Sequence, residues 1–172
     1  PAWINHNDLL HFLADGKFLW GSERDGFQHL YLFGQDGKLH KKLTEGNWEV
    51  NSIAAIDEAR QTVYFTSTEA SPLERQLYSI KLSGKDRVRI SQGAGTHSIS
   101  MSPTADYYMD TFSSLTQPPR KTLRTSTGGE WTLYREADHK LTDEYELLPT
   151  EIVTDKSADG TPLYARLIKP AN

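Results

Sequence analysis

The feature that most narrows what this chain can fold into is a repeat, because segments about 45 residues apart resemble one another. Leu30-Tyr31 returns as Leu77-Tyr78, 47 residues later, and Thr44-Glu45-Gly46 returns as Ser91-Gln92-Gly93 at the same spacing. Phe18 and Tyr64 lie 46 apart; Tyr64 and Tyr108 lie 44 apart. Each unit reads in one order: an aromatic strand, a loop rich in Ser, Glu and Asp or Pro, a Leu-Tyr strand, a turn, then a basic strand ending in a small residue and Gly. The basic strands are Lys41-Lys42-Leu43 and Arg87-Val88-Arg89-Ile90. A weaker third copy runs through Tyr107 to Phe112, Lys121 to Arg124 and Trp131 to Tyr134. A unit of this length with three to four strands is a propeller blade, which buries its apolar faces only by stacking on its neighbours.

The runs Lys17 to Ser22, Leu30 to Phe33, Thr62 to Ser67 and Leu77 to Leu82 carry the β-branched and aromatic residues that suit a pleated, half-buried surface. Asp15-Gly16 and Asp36-Gly37 fall between such runs, where glycine supplies the positive φ of a tight hairpin. The expected fold is therefore all-β: about three consecutive antiparallel blades, fewer than the four to eight that close a ring. With Pro1 at its start, the chain reads as an excerpt of something longer. After Tyr134 the pattern changes. Thr142 is placed as an N-cap, Tyr145 and Leu148 share a face, and Pro149 ends a short helix. Glu151 to Thr154, Ala158-Asp159-Gly160 and Leu163 to Ile168 then read as strand, turn and strand outside the blade period. The expected division is residues 1–140 as a partial propeller and 141–172 as a linker helix and first hairpin of the next unit.

Composition excludes several classes of function. A net charge of −4 with no block of five like charges leaves no electrostatic footprint for nucleic acid. The longest apolar run, Leu30 to Phe33, is far below the ~20 residues a membrane helix needs, and Pro1-Ala2-Trp3 opens neither a basic nor an apolar signal region. Without cysteine there is no disulfide framework and no thiolate metal site.

A search for chemistry finds mostly structural residues. Gly95-Thr96-His97-Ser98 lacks the spacing and second glycine of a nucleophile elbow, so His97 is read as a structural histidine in a blade turn. The six histidines show no His-x-x-x-His spacing, Asp155, Asp159 and Gly160 make no calcium loop, and Gly128-Gly129 is a turn rather than a phosphate loop. No metal or cofactor is expected. Ser22-Glu23-Arg24-Asp25-Gly26 reads as a loop braced by its own charges, and Trp48-Glu49-Val50 as core that seats one blade on the next; Trp131 is read as core in the same way.

The ordered series Ser22-Glu23-Arg24-Asp25-Gly26-Phe27-Gln28-His29-Leu30-Tyr31-Leu32, then Leu43-Thr44-Glu45-Gly46-Asn47-Trp48-Glu49-Val50, resembles the propeller of dipeptidyl peptidase IV-type serine peptidases. The resemblance continues through Ser71-Pro72-Leu73-Glu74-Arg75-Gln76-Leu77-Tyr78, Gly95-Thr96-His97, Ser102-Pro103 and Asp110-Thr111-Phe112-Ser113-Ser114. It ends at Asp159-Gly160 through Pro170, which looks like that family's entry hairpin into an α/β-hydrolase domain. The resemblance implies a parent enzyme that removes dipeptides with Pro or Ala in second place from free N-termini, the propeller gating access. In that family the Ser-Asp-His triad follows the propeller and a pair of Glu residues in an earlier blade holds the substrate ammonium. Neither lies in this chain, so no catalytic residue carries over and the chain alone is expected to be inactive. Trp3 is the one candidate substrate-facing residue, since the family's segment before the first recognised strand approaches the peptide; the family's Arg there is missing. Implied partners are peptide substrates, with self-association of the chain or a homodimer of the parent, and the family leans to periplasmic or secreted proteins. The competing reading is a non-catalytic propeller that binds a protein or peptide, because the fold alone does not decide function. A Gly-x-Ser-x-Gly elbow downstream separates the two.

Overall fold

The computed structural model describes residues 9–145 and 148–169. Twelve strands form three four-stranded antiparallel sheets in sequence order. The first contains β1 (Leu10–Phe12), β2 (Phe18–Ser22), β3 (His29–Phe33) and β4 (Leu39–Lys42). The second contains β5 (Val50–Asp57), β6 (Thr62–Ser67), β7 (Gln76–Lys81) and β8 (Val88–Arg89). The third contains β9 (Thr96–Met101), β10 (Tyr107–Ser113), β11 (Arg120–Thr125) and β12 (Glu130–Arg135). Each sheet is a meander whose neighbours in sequence are neighbours in space. All four aromatic runs are middle strands, and the first strand of each sheet carries no such run. The reason is chemical: β5 reads Val-Asn-Ser-Ile-Ala-Ala-Ile-Asp and is bulged twice, and β9 reads Thr-His-Ser-Ile-Ser-Met. Small and polar residues on a first strand hide the period-2 pattern that larger ones announce.

Packing follows from pleat and register. Leu19 pairs with Leu32 and Gly21 with Leu30, so the three leucines share one face of the first sheet. Val63 pairs with Ile80 and Phe65 with Tyr78, giving the second sheet a matching face. These residues form one buried cluster. The opposite face of the second sheet brings Tyr64 and Leu77 to Ala105 and Tyr108 of the third. Each large apolar side chain so buried contributes roughly 1.5–3 kcal/mol. Consecutive sheets are thus stacked, each using one face for the neighbour before and one for the neighbour after.

The first sheet's remaining face carries Phe12, Phe18, Trp20, Tyr31 and Phe33, which register places together. Phe18 stacks on Phe33 at 5.1 Å, and the Arg24 guanidinium lies 4.6 Å from the Tyr31 ring centre. The equivalent residues of the second sheet, Val63, Phe65, Tyr78 and Ile80, are covered by the first, whereas Phe12 stays 72% exposed.

Three expectations need correction. His97 is not in a turn but is the second residue of β9. Trp131 is not core: on the edge strand of its sheet it is 60% exposed and meets Tyr107 edge-to-face at 4.6 Å, because among the described residues no strand pairs outside β12. The helix α1 spans Lys140–Glu144, so Thr142 lies inside it; the His139 carbonyl accepts the first helical bond, from the Asp143 amide at 2.8 Å, and Asp138 Oδ1 accepts the Lys140 amide at 3.0 Å. Beyond it, β13 (Thr150–Lys156) and β14 (Pro162–Ile168) form a two-stranded sheet that, among the described residues, pairs with no other strand. Their turn is closed by the Asp159 carboxylate, which takes the Ser157 hydroxyl and the Thr161 amide; these bonds hold its pKa down at about 2.

Candidate functional site

The most ordered polar chemistry in the molecule is a latch used twice. At the start of β3, His29 is buried and its Nε2 lies 3.0 Å from the Gly46 carbonyl, an acceptor, so Nε2 carries the proton. Its Nδ1 then accepts the Thr44 hydroxyl at 3.1 Å, and Thr44 Oγ1 in turn accepts the Leu30 amide at 2.9 Å. At the start of β7, Gln76 Nε2 donates to the Gly93 carbonyl at 2.8 Å, Gln76 Oε1 accepts the Ser91 hydroxyl at 2.6 Å, and Ser91 Oγ accepts the Leu77 amide at 2.8 Å. Imidazole and carboxamide thus do the same work 47 residues apart, each tying its sheet to the segment that leads into the next. Burial lowers the His29 pKa, which keeps the ring neutral as the latch requires. Trp48 follows this latch, meeting the His29 ring edge-to-face at 4.9 Å, with the Arg87 guanidinium of the second sheet 5.3 Å from its ring centre. The expected seating role of Trp48 fits these contacts.

The third sheet replaces the latch with charge. His97 Nδ1 donates to the Asp110 carboxylate at 2.9 Å, and Arg124 Nε lies 3.5 Å from the same carboxylate. Arg124 continues to Glu130 at 3.2 Å, so the network crosses all four strands. The sequence hid the His97–Asp110 pair because the residues are 13 apart; His97 registers with Phe112, which makes Asp110 its diagonal neighbour on the same face. A histidine held by a carboxylate is half of a hydrolytic triad. Yet His97 is 3% exposed, and its Nε2 meets no hydrogen-bond partner among the described residues. The pair therefore braces the sheet.

Loop residues 22–26 are braced as well. Asp25 accepts the Tyr31 hydroxyl at 2.9 Å and the Lys42 ammonium at 2.6 Å, and these bonds lower its pKa, the lysine contributing most. Burial together with the Asp25 contact raises the Tyr31 phenol to about 12. Trp3 lies outside the described residues. Among the described residues, no group of three or more His, Asp or Glu is placed to hold a metal ion.

Two cavities flank the loop between β10 and β11. One, of about 620 Å³, is bounded by Leu73, Glu74, Ala94, Leu115 and Ile152. The other, of about 750 Å³, lies between Leu115 to Pro119 and the hairpin residues Thr150, Arg166 and Ile168. Both are in the size range of ligand pockets, and no cluster of catalytic groups faces either.

Three stacked meanders with repeated latches are consecutive blades of a β-propeller. The family description "Dipeptidyl peptidase IV (DPP IV) N-terminal region" matches residues 1–119. The chain belongs to that family. A probable dipeptidyl-aminopeptidase B of Coccidioides posadasii is 33% identical over 141 residues, covering 75% of this chain and 15% of the relative. Dipeptidyl peptidase 8 of Homo sapiens is 27% identical over 211 residues, covering 98% of this chain and 23% of the relative. The crystal structure of Porphyromonas gingivalis dipeptidyl peptidase 4 superposes with a TM-score of 0.84 at 32% identity, over 94% of this chain and 23% of that one. A putative dipeptidyl aminopeptidase IV from Bacteroides ovatus gives 0.80 at 31% identity, over 95% of this chain and 26% of that one. The chain thus spans between 15% and 26% of the length of these relatives.

Proposed function

We propose that this chain supplies consecutive propeller blades and the outgoing hairpin of a serine exopeptidase that cleaves Xaa-Pro or Xaa-Ala dipeptides from free N-termini. The single observation that supports it most is the family match together with relatives named as dipeptidyl peptidases. In this reading residues 1–140 limit access to the catalytic chamber. Residues 141–172 lead into an α/β-hydrolase domain that carries the triad. The chain contributes shape and support, because the His97–Asp110 pair is sealed in a sheet. Peptides with a free N-terminus are the substrates, and the parent is a homodimer.

The test is hydrolysis of Ala-Pro and Gly-Pro chromogenic substrates by the full-length parent and by the 172-residue chain. The parent is expected to turn them over and to lose activity when the substrate amine is blocked. The chain alone is expected to show none, since loss of a whole triad removes on the order of 10⁶ in rate. A parent inert on both substrates, while binding peptides or proteins, would replace this reading with that of a binding propeller.

A further inference from the structure

The third residue of the third strand is a tyrosine in the first two sheets, Tyr31 in β3 and Tyr78 in β7, and register gives both the same kinds of neighbour. Tyr31 pairs with Trp20 and Lys42, Tyr78 with Phe65 and Arg89. Each tyrosine also has near it a carboxylate from the loop before its strand and a guanidinium. At Tyr31 the carboxylate is Asp25, 2.9 Å from the phenol oxygen, and the guanidinium is Arg24, 4.6 Å from the ring centre and 5.3 Å from that of Phe33. At Tyr78 the carboxylate is Glu69, whose charge adds to burial in raising the phenol pKa, and the guanidinium is Arg87, paired with Glu69 at 2.6 Å. An indole completes the second cluster. Trp48, arriving from the first sheet, lies 5.3 Å from Arg87 and meets the His29 ring on its other side. The first cluster leaves Arg24 exposed, on an aromatic face where Trp20 is 38% and Phe12 72% exposed.

Tyrosine and tryptophan come and go together in the repeat. The third residue of β11 is Thr122, not tyrosine. In that unit Gly95 stands two residues beyond Gly93, as Trp48 stands two beyond Gly46, and a side chain at Gly95 would collide with the Ser113 carbonyl. The unit without the tyrosine therefore has no room for the indole. The unit that carries Tyr31 has a tryptophan at the matching distance upstream: Trp3 lies 45 residues before Trp48, inside the 44–47 spread of the other repeat partners. Reach permits the contact. Leu9 leads into β1 and its carbonyl takes the Gly21 amide at 2.8 Å. The six residues from Leu9 back to Trp3 can extend to about 20 Å, against the roughly 10 Å from β1 across β2 to β3. We infer that Trp3 is the first blade's counterpart of Trp48, an indole that closes on Arg24 over Tyr31 and Phe33. Indole is the aromatic side chain that holds a guanidinium best. The occupant of this part of the exposed aromatic face is thus the segment of residues 1–8, and Trp3 braces a blade instead of facing substrate. The inference does not depend on the peptidase reading.

Fluorine resonances of the 172-residue chain labelled with 5-fluorotryptophan test it, each of the four tryptophans being assigned by its substitution with Phe. The Trp3 resonance is expected to shift between H2O and D2O as little as that of Trp48, and well below that of Trp131, which is 60% exposed. Arg24→Ala is expected to move the Trp3 and Trp20 resonances and leave those of Trp48 and Trp131 in place; Arg87→Ala is expected to move Trp48 and leave Trp3 in place. The solvent-isotope shift needs no variant, so it decides the matter even where Arg24→Ala fails to fold. A Trp3 resonance as solvent-sensitive as that of Trp131, or one that stays in place in a folded Arg24→Ala chain, overturns the inference. So does shielding of Trp3 that appears only as chain concentration rises, which would give the aromatic face to a second copy.

Discussion

The first two blades and the third solve the same problem with different chemistry. Each sheet must tie its third strand to the chain that leaves the sheet. Blades one and two use a neutral buried latch, His29 with Thr44 and Gly46, Gln76 with Ser91 and Gly93. Extending the register puts Arg120 where the third blade would need His or Gln, and Glu136 where it would need Thr or Ser. Arg120 instead faces Glu130 at 3.6 Å and Glu136 at 3.9 Å, both substantially exposed. The third sheet moves its buried polar chemistry inward, to His97, Asp110 and Arg124. The neutral latches of the first two blades are buried, whereas the third blade's network starts at the buried His97–Asp110 pair and runs outward through Arg124 to the more exposed Glu130. The Arg124–Glu130 end largely escapes the desolvation penalty that the buried end must offset.

The largest effect is expected from breaking the third blade's inner network. Asp110→Ala leaves a buried imidazole and a mostly buried guanidinium without their shared carboxylate, and urea unfolding should show a loss of about 3–5 kcal/mol. A loss below ~1 kcal/mol would mean the network carries little. Next comes the second blade's latch. Gln76→Ala strands the Ser91 hydroxyl and the Gly93 carbonyl and should cost about 1–3 kcal/mol in the same measurement.

The two latches differ in one testable way, because only one can titrate. The folded-state pKa of His29 lies below its ordinary 6.5, chiefly through burial. The unfolded chain therefore takes up the proton first, and stability is present above about pH 6.5 and lost as pH falls below it. His29→Gln copies the second blade and should leave stability near pH 7.5 almost unchanged while removing that part of the acid sensitivity. A variant with the wild-type slope below pH 6.5 would show that His29 is not its source. The smallest effect is that of salt on the third blade's outer pairs: screening Arg120 from Glu130 and Glu136 should cost under about 1 kcal/mol, and Glu136→Gln should be near neutral.

The repeat made the architecture legible because blade partners recur at fixed offsets: Leu30 and Leu77, Thr44 and Ser91, Gly46 and Gly93 all proved structurally equivalent. The same offsets would have paired His29 with Gln76, but imidazole and carboxamide look unlike until their donor and acceptor atoms are compared. First strands are hard to read because β5 and β9 carry small polar residues, and Trp131 reads as core because an aromatic on a strand does not show that its strand is the last of the sheet. His97 and Asp110 were each in view and their pairing was not, since it depends on a register that only folding supplies. For the site, the sequence pointed away from catalysis within this chain by the lack of an elbow.

The central claim, that these residues are three stacked copies of one blade with an outgoing hairpin, is tested most directly by native-state amide exchange on the 172-residue chain. Strong protection is expected in three recurring pairs of strands, at 18–22 with 29–33, 62–67 with 76–81, and 107–113 with 120–125. Within it, the Leu30 and Leu77 amides, which donate to side-chain hydroxyls, should be protected alike, and the hairpin at 150–168 should exchange fastest of the paired strands. Protection without that period, or a hairpin protected as strongly as the middle strands of the sheets, would contradict the account.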